Sequence, residues 1–378
     1  MRKVSRRPAP FRAAAAVTAC VVLVAACGGD SREAALPNTR SAPLPFALNA
    51  LVAATSWRTA GSDTFEVWVC EVAEGATDPI YAGLPLRLAL TPDGIIEAVA
   101  EGAADYFDAL SDGAYHPEFV VGGVAELGVN DPPQTCIDQA IEGAAADVNG
   151  VLVVANAEHG SDQPGGFANA SGRCVQPPCS VAESRRYVYM GASDFHPDWG
   201  DAPPLDLLEH ELGHAIGWYH SGISDDGAYL SSLDVMSNNA ARRSTDPELR
   251  DAQGTLALNL LMAGWLEPDQ VWTAPIAGGA VTLAPNTSDT NVSLVVLPID
   301  HDHFVTVELL TADGLNSHLP ESGLAVHMVT LADGVIERVH PFAGEPPFTD
   351  LAQVGEDLTV EWWQIAIGDG YRLTITGR

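Results

Sequence analysis

Lysine is nearly missing from this chain: Lys3 is the one lysine in 378 residues. Lysine and arginine together number 18 against 50 aspartates and glutamates, for a formal net charge of −32. Five of the basic residues fall between Met1 and Arg12, so the rest of the chain sets 13 against 50 and sits near −37. That balance repels phosphate and excludes a general electrostatic attraction to nucleic acid or to anionic lipid. It leaves solubility, cation-rich surroundings or bound Ca²⁺ as the uses of so much acid. Cysteine is also scarce, with six in all and no C-x-x-C pair, which argues against a cysteine-based zinc site. Apolar residues are not scarce. At 47% they suit a globular chain that buries a core.

The basic start is followed by Ala13–Ala26, an apolar run of fourteen residues, too short to span a bilayer but suited to a signal peptide over 1–26. The run ends Val24-Ala25-Ala26-Cys27-Gly28-Gly29, which resembles a bacterial lipobox. The resemblance implies that Cys27 becomes the first mature residue and carries lipid, holding the protein to an extracytoplasmic membrane face. An ordinary secretory signal is the alternative. Residues 28–45 are rich in Gly, Asp, Ser, Pro and Asn, and the expected tether covers 27–59. Cys70, Cys136, Cys174 and Cys179 remain, an even count that in an exported chain implies two disulfides with three possible pairings. The short Val-Gln-Pro-Pro loop favours Cys174–Cys179, leaving Cys70–Cys136; a latency thiol at Cys70 is the competing role.

The residues that carry chemistry lie in His210-Glu-Leu-Gly-His-Ala-Ile-Gly-Trp-Tyr-His220, a complete H-E-x-x-H-x-x-G-x-x-H string. In a helix, positions four apart share a face about 6 Å apart along the axis, so His210 and His214 can meet at one ion. A straight helix would carry His220 roughly 9 Å further on. The helix must therefore end near Gly217, where glycine tolerates a left-handed turn. Three neutral imidazoles leave one position of tetrahedral Zn²⁺ open for water, and Glu211 stands next to the first ligand to take a proton. By chance, H-E-x-x-H arises in roughly 2 of 100 chains of this composition, and the longer string in a few of 10⁵.

This string resembles the zinc site of the metzincin metallopeptidases. Leu233-Asp234-Val235-Met236-Ser237 resembles their methionine turn, with Met236 sixteen residues after His220. Some members place a tyrosine ligand two residues after that methionine; Asn238 stands there, so no such ligand carries over. The helix ending Ala-Gly-Trp-Leu, the later Leu-Pro-Glu-Ser-Gly-Leu-Ala-Val-His and the upstream Gly165-Gly166-Phe-Ala are similar to gametolysin-like and immune-inhibitor-A-like secreted zincins. The resemblance implies a zinc endopeptidase acting on extracytoplasmic polypeptides, with His210, His214 and His220 as ligands and Glu211 as base. A catalytically idle zincin-fold surface-binding lipoprotein, or a β-module protein with a metal-stabilised head, remains the alternative.

The expected fold is α+β: a metzincin-type catalytic domain over 60–270, with a twisted sheet and the zinc helix, then an all-β domain over 271–378. Strands are expected at Phe65–Val72, Pro117–Leu127, Val151–Asn156 and Arg186–Met190, with helices from Thr91 to Leu110 and over Thr135–Ala146. Gly160–Pro178 reads as loop, and a helix is expected from Thr245 to Met262, closed by Gly264. Six short strands follow, Leu358–Gln364 among them. His196 reads as surface or cleft, His301-Asp302-His303 as a turn or a second metal site. Asp194, Asp198, Asp201 and Asp206 could hold structural Ca²⁺ or cap helices. The lipobox makes a direct prediction: Cys27→Ser should release the protein from the membrane fraction or stall its processing. Unchanged partitioning and mass would point to a plain secretory signal.

Overall fold

The computed structural model describes residues 38–54, 60–73, 87–157, 166–174, 176, 178–195, 202–223, 227–285, 291–342, 348 and 350–378. Cys27, His159, His196, Asp198 and Asp201 lie outside them. No described helix is long and apolar enough to cross a membrane. The architecture is mixed α and β, with three sheets.

The expected tether ends early, because residues 38–54 already belong to the fold. Thr39 N–H donates to Ala280 O (2.7 Å), Ala42 N–H to Thr273 O (2.9 Å) and Trp272 Nε1–H to Thr39 O (2.7 Å). Helix α1 (Phe46–Ala54) follows and buries Leu48 and Leu51. The Asn and Ser residues that suggest a linker act instead as acceptors: Asn38 Oδ1 for Thr282 N–H and Ser41 Oγ for Thr273 N–H.

The first sheet has the order β2-β1-β3-β5-β4, built from β1 (Thr64–Val72), β2 (Glu118–Leu127), β3 (Gly150–Ala155), β4 (Gly166–Asn169) and β5 (Arg186–Met190). Its pairings are parallel except β4 on β5. Every residue of β3 is buried, as expected of a parallel strand covered on both faces. Strand β4 corrects the loop expectation for 160–178. Its Gly-Phe-Ala-Asn composition is poor for a strand, and pairing with β5, including the stacked Phe167 and Tyr189 rings 5.0 Å apart, supplies the order. Helix α2 (Pro92–Ile95), capped by Thr91, runs through a π turn at Ile96–Ala100 into α3 (Glu101–Leu110). Ala98 O, in that turn, accepts from Arg250 (2.6 Å). Helix α4 (Gln134–Gly143) is tied to β1 by the Cys70–Cys136 disulfide, which rules out a latency thiol at Cys70; Cys174–Cys179 is the other bridge.

Helix α5 (Asp206–Ala215) carries the histidine string. The helix expected over 245–262 is not there. A short α6 (Ala241–Thr245) stops where the string Thr-Asp-Pro-Glu suggests a start, and α7 (Ala257–Ala263) begins much later. Residues 246–248 are an exposed turn, and 252–256 run without helix and buried, with side chains on the nearby backbone. Glu209 accepts from Ala252 N–H (2.6 Å) and Arg242 donates to Asp251 O and Ala252 O (3.3 and 3.2 Å), while Gln253 Nε2 reaches out to Asp234 O (2.8 Å). Tertiary partners have outbid the local helix signal. Gly264 ends α7 at φ 79°, as its position suggests.

The remaining strands form two sheets. One is β11-β10-β9-β8-β6, from β6 (Val271–Thr273), β8 (Leu294–Pro298), β9 (His303–Leu310), β10 (Gly323–Ala332) and β11 (Val335–Pro341). The other is β12-β13-β14-β7, from β7 (Gly279–Thr282), β12 (Asp357–Val360), β13 (Trp363–Gly368) and β14 (Arg372–Gly377). Leu358–Gln364 is thus a hairpin and not one strand, turning at Glu361 with φ 53°. The two sheets share a core that includes Val281, Val307, Val326 and Ile365. The opposite face of the first of them packs Phe304, Val329 and Val339 against Leu51, Leu258 and Leu261. Glu308 of β9 also accepts from Ala257 N–H (2.8 Å), capping α7 from another element. His301-Asp302-His303 is a turn: Asp300 Oδ1 accepts from the backbone N–H of both Asp302 and His303 (2.9 Å each).

A chain ending at Gln270 would expose Leu51, Leu258 and Leu261 and leave the start of α7 uncapped. It should lack a cooperative thermal transition, which calorimetry would test; a truncated chain melting like the full one would mean that the part before Gln270 stands alone.

Candidate metal centre

The histidine string folds as its spacing requires. Helix α5 ends in a Schellman turn, with Trp218 N–H donating to Gly213 O and Gly217 N–H to His214 O (2.9 Å each), and Gly217 takes φ 96°. That reversal returns His220 to the helix face. The His220 Nε2 atom lies 3.3 Å from His210 Nε2 and 2.7 Å from His214 Nε2. Tetrahedral ligands about 2.0–2.1 Å from zinc would stand about 3.3 Å apart, so one separation matches and the other is tighter.

Tautomers are fixed by the acceptors. His210 Nδ1–H donates to Val235 O (2.7 Å) and His214 Nδ1–H to Trp218 O (2.9 Å). A carbonyl can only accept, so the facing Nε2 atoms carry lone pairs. Burial first, then the neighbouring His214, holds His210 and His220 down at about 3, and burial lowers His214 as well. A cation between them would draw the lone pair of His220 Nε2 to the same point. The donor set fits a divalent metal of the zinc type.

Glu211 is buried beside them, and its Oε2 has no hydrogen-bond partner among the described residues. Burial, then the charge of Asp194, pushes its carboxyl up to about 8, and a cation at the imidazoles would draw it back down. Two glycines allow this crowding. A Cβ on Gly166 would stand 2.9 Å from Glu211 Cγ, and one on Gly213 would stand 2.5 Å from Met236 Sδ. Met236 is fully buried and packs beneath the helix between His210 and His214.

The methionine turn is held by Asp234, which motif reading passed over. Its carboxylate accepts from Ser221 Oγ (2.6 Å), Thr255 Oγ1 (2.8 Å) and Met236 N–H (3.2 Å). Tyr229 was missed too. Its phenol oxygen lies 3.3 Å from His220 Nε2, with the rings 4.9 Å apart. It stands seven residues before Met236 rather than two after, in a loop closed by Leu230 N–H on Gly222 O (3.1 Å), and nothing in its local pattern marks it. The backbone carbonyl of Asn238 accepts from Gln253 Nε2 (2.8 Å).

Among the described residues, the three histidines are the one cluster of His, Cys, Asp and Glu that could hold a metal. Asp206, a calcium candidate, is paired with Arg243 at 2.7 Å. His318 contacts Ser232 O (2.8 Å), and His340 lies edge-on to Phe348. The centre opens on a cleft of about 680 Å³, walled by β4 and its following turn, by Tyr219 and Tyr229, and by Leu51, Gly334 and Val335. No protein-family model and no curated protein matches the chain.

Asp234→Ala would strand several buried donors. It should lower unfolding free energy by roughly 3 kcal/mol or more and weaken metal retention, because Ser221 and Met236 lose their common anchor. Denaturant melts and metal analysis would measure both; wild-type stability would remove Asp234 from this role.

Proposed function

We propose that this protein is a zinc-dependent endopeptidase with a metzincin-type zincin fold, acting on extracytoplasmic polypeptides and held to a membrane by lipid at Cys27. The observation that carries the reading is the convergence of three imidazoles, two of them held by backbone carbonyls, beside a buried glutamate whose Oε2 has no partner among the described residues, at the floor of an open cleft. Support also comes from Met236 packed under the string and from the mixed α and β architecture. The two disulfides suit an oxidising compartment.

His210, His214 and His220 would hold Zn²⁺ through Nε2. Bound there, the metal would supply the Lewis acidity that makes a water nucleophilic near neutral pH and polarises a carbonyl. Glu211 Oε2 accepts the proton of the attacking water and later returns it to the leaving amine. Tyr229 has its phenol O–H at the edge of the same space, able to donate to the carbonyl oxygen as that oxygen gains charge. Strand β4 offers an edge along which an extended substrate can pair. Met236 takes no chemical step and supports the helix from below.

The decisive experiment combines metal content with cleavage of an unstructured protein. Wild type should carry one zinc and cut the substrate, and His214→Ala should lose both properties. Glu211→Gln should keep the zinc and fold while losing activity by orders of magnitude, since glutamine is nearly isosteric but accepts no proton. An inert wild type that still holds zinc would favour the idle, surface-binding reading. Full activity in Glu211→Gln would assign the proton transfer to another group.

A further inference from the structure

The second sheet reaches into the candidate centre. Strands β10 and β11 are joined by Asp333 and Gly334, both at positive φ (52° and 81°), between the paired residues Ala332 and Val335. A two-residue turn of this kind is short and stiff. Gly222 N–H donates to Val339 O at 2.8 Å, which ties β11 to the chain two residues beyond His220. Leu331, Ile336 and Val339 share a core with Leu51 of α1, and Tyr219 packs on its margin. The hairpin is therefore fixed with respect to the histidines. Its tip, Gly334 and Val335, lines the cleft, and Val335 is 47% exposed despite being apolar.

We propose that Val335 and Tyr219, backed by the buried Leu51, form a subsite for an apolar side chain of the polypeptide substrate, so that the C-terminal sheet sets part of the specificity. This rests on the peptidase reading above. The cleft lining divides by chemistry. Residues 166–171 present the backbone of β4 and its following turn with Asn169 and Ser171, suited to recognising a main chain, whereas the hairpin tip and Tyr219 present methyl and ring surface. A leucine or phenylalanine side chain seated there removes apolar surface from water on both partners. A charged side chain would be desolvated against aliphatic groups that cannot bond to it.

The test uses the full chain and peptides that vary one position at a time around the cleaved bond. At one position wild type should prefer leucine or phenylalanine over alanine. Val335→Asp should cut that preference in kcat/KM by about tenfold or more, leaving the alanine peptides and the zinc content unchanged. Ile276→Asp, at an exposed apolar residue outside the cleft lining, should change nothing. An unaltered preference in Val335→Asp, or an equal loss on every peptide, overturns the proposal. The same peptides are also titrated by fluorescence anisotropy against Glu211→Gln and against Glu211→Gln with Val335→Asp. If wild type cleaves nothing, the peptidase reading fails and anisotropy decides the subsite. Selective loss of leucine-peptide binding keeps it, and equal binding removes it.

Discussion

A buried carboxylate, Asp234, is the joint on which the centre depends. It sits with no exposure and gathers donors from three separate stretches: Ser221 just after the third histidine, Met236 within the turn, and Thr255 before α7. Burial raises its pKa while those hydrogen bonds pull the other way. An ionised carboxylate is tolerated inside a protein only with such a shell. Because Val235 O receives the His210 ring and Ser221 follows His220, the same joint sets the positions of two imidazoles. The methionine turn is thus more than a hydrophobic floor. It is a polar clamp with a thioether on its upper side.

The second constraint is electrostatic crowding at the imidazoles. The Nδ1 atoms of His210 and His214 are committed to carbonyls, so their Nε2 lone pairs face the third ring. Keeping the rings neutral costs little, since burial already disfavours the charged form. A helix and the turn after it thus bring three ring nitrogens to one point that a cation could bridge. Glu211 gains from the same burial. Burial and the charge of Asp194 raise its carboxyl to about 8, and a nearby cation would act in the opposite direction.

Legibility in the sequence followed distance along the chain. The meeting of His210, His214 and His220 is a local matter of helical pitch and one glycine, and it could be read directly. So could the strands at 64–72, 150–155 and 186–190, where apolar runs are long and bounded. Contacts made only by folding could not be read. Tyr229 reaches the histidines through a closed loop, Gly166 approaches Glu211 across strand and helix, and Glu308 caps a helix fifty residues upstream. The same cause explains the misplaced helix over 245–262. Asp246-Pro247-Glu248 is a sound start signal, yet Glu209 and Arg242 satisfy the backbone at Asp251 and Ala252 without a helix, and Gln253 is drawn to Asp234 O. The linker-like residues near 40 failed in the same way, because composition does not reveal a distant acceptor.

The shortage of basic residues has a structural counterpart. Several of the few arginines are buried or half-buried and act as braces. Arg185 donates to Ile141 O and Ala145 O (2.6 Å each), Arg186 pairs with Asp63 (2.7 Å), and Arg250 bridges Pro203 O and Ala98 O. Arg242 and Arg243 fix the chain behind α5. A guanidinium suits this work, with several donors in a rigid fork and a charge that never leaves. Lysine would lose more on burial and could not reach two carbonyls in a plane. Arg40, Arg338 and Arg378 are exposed, but they are few beside the acids, so a net charge of −32 makes the surface field predominantly negative and favours the approach of cations.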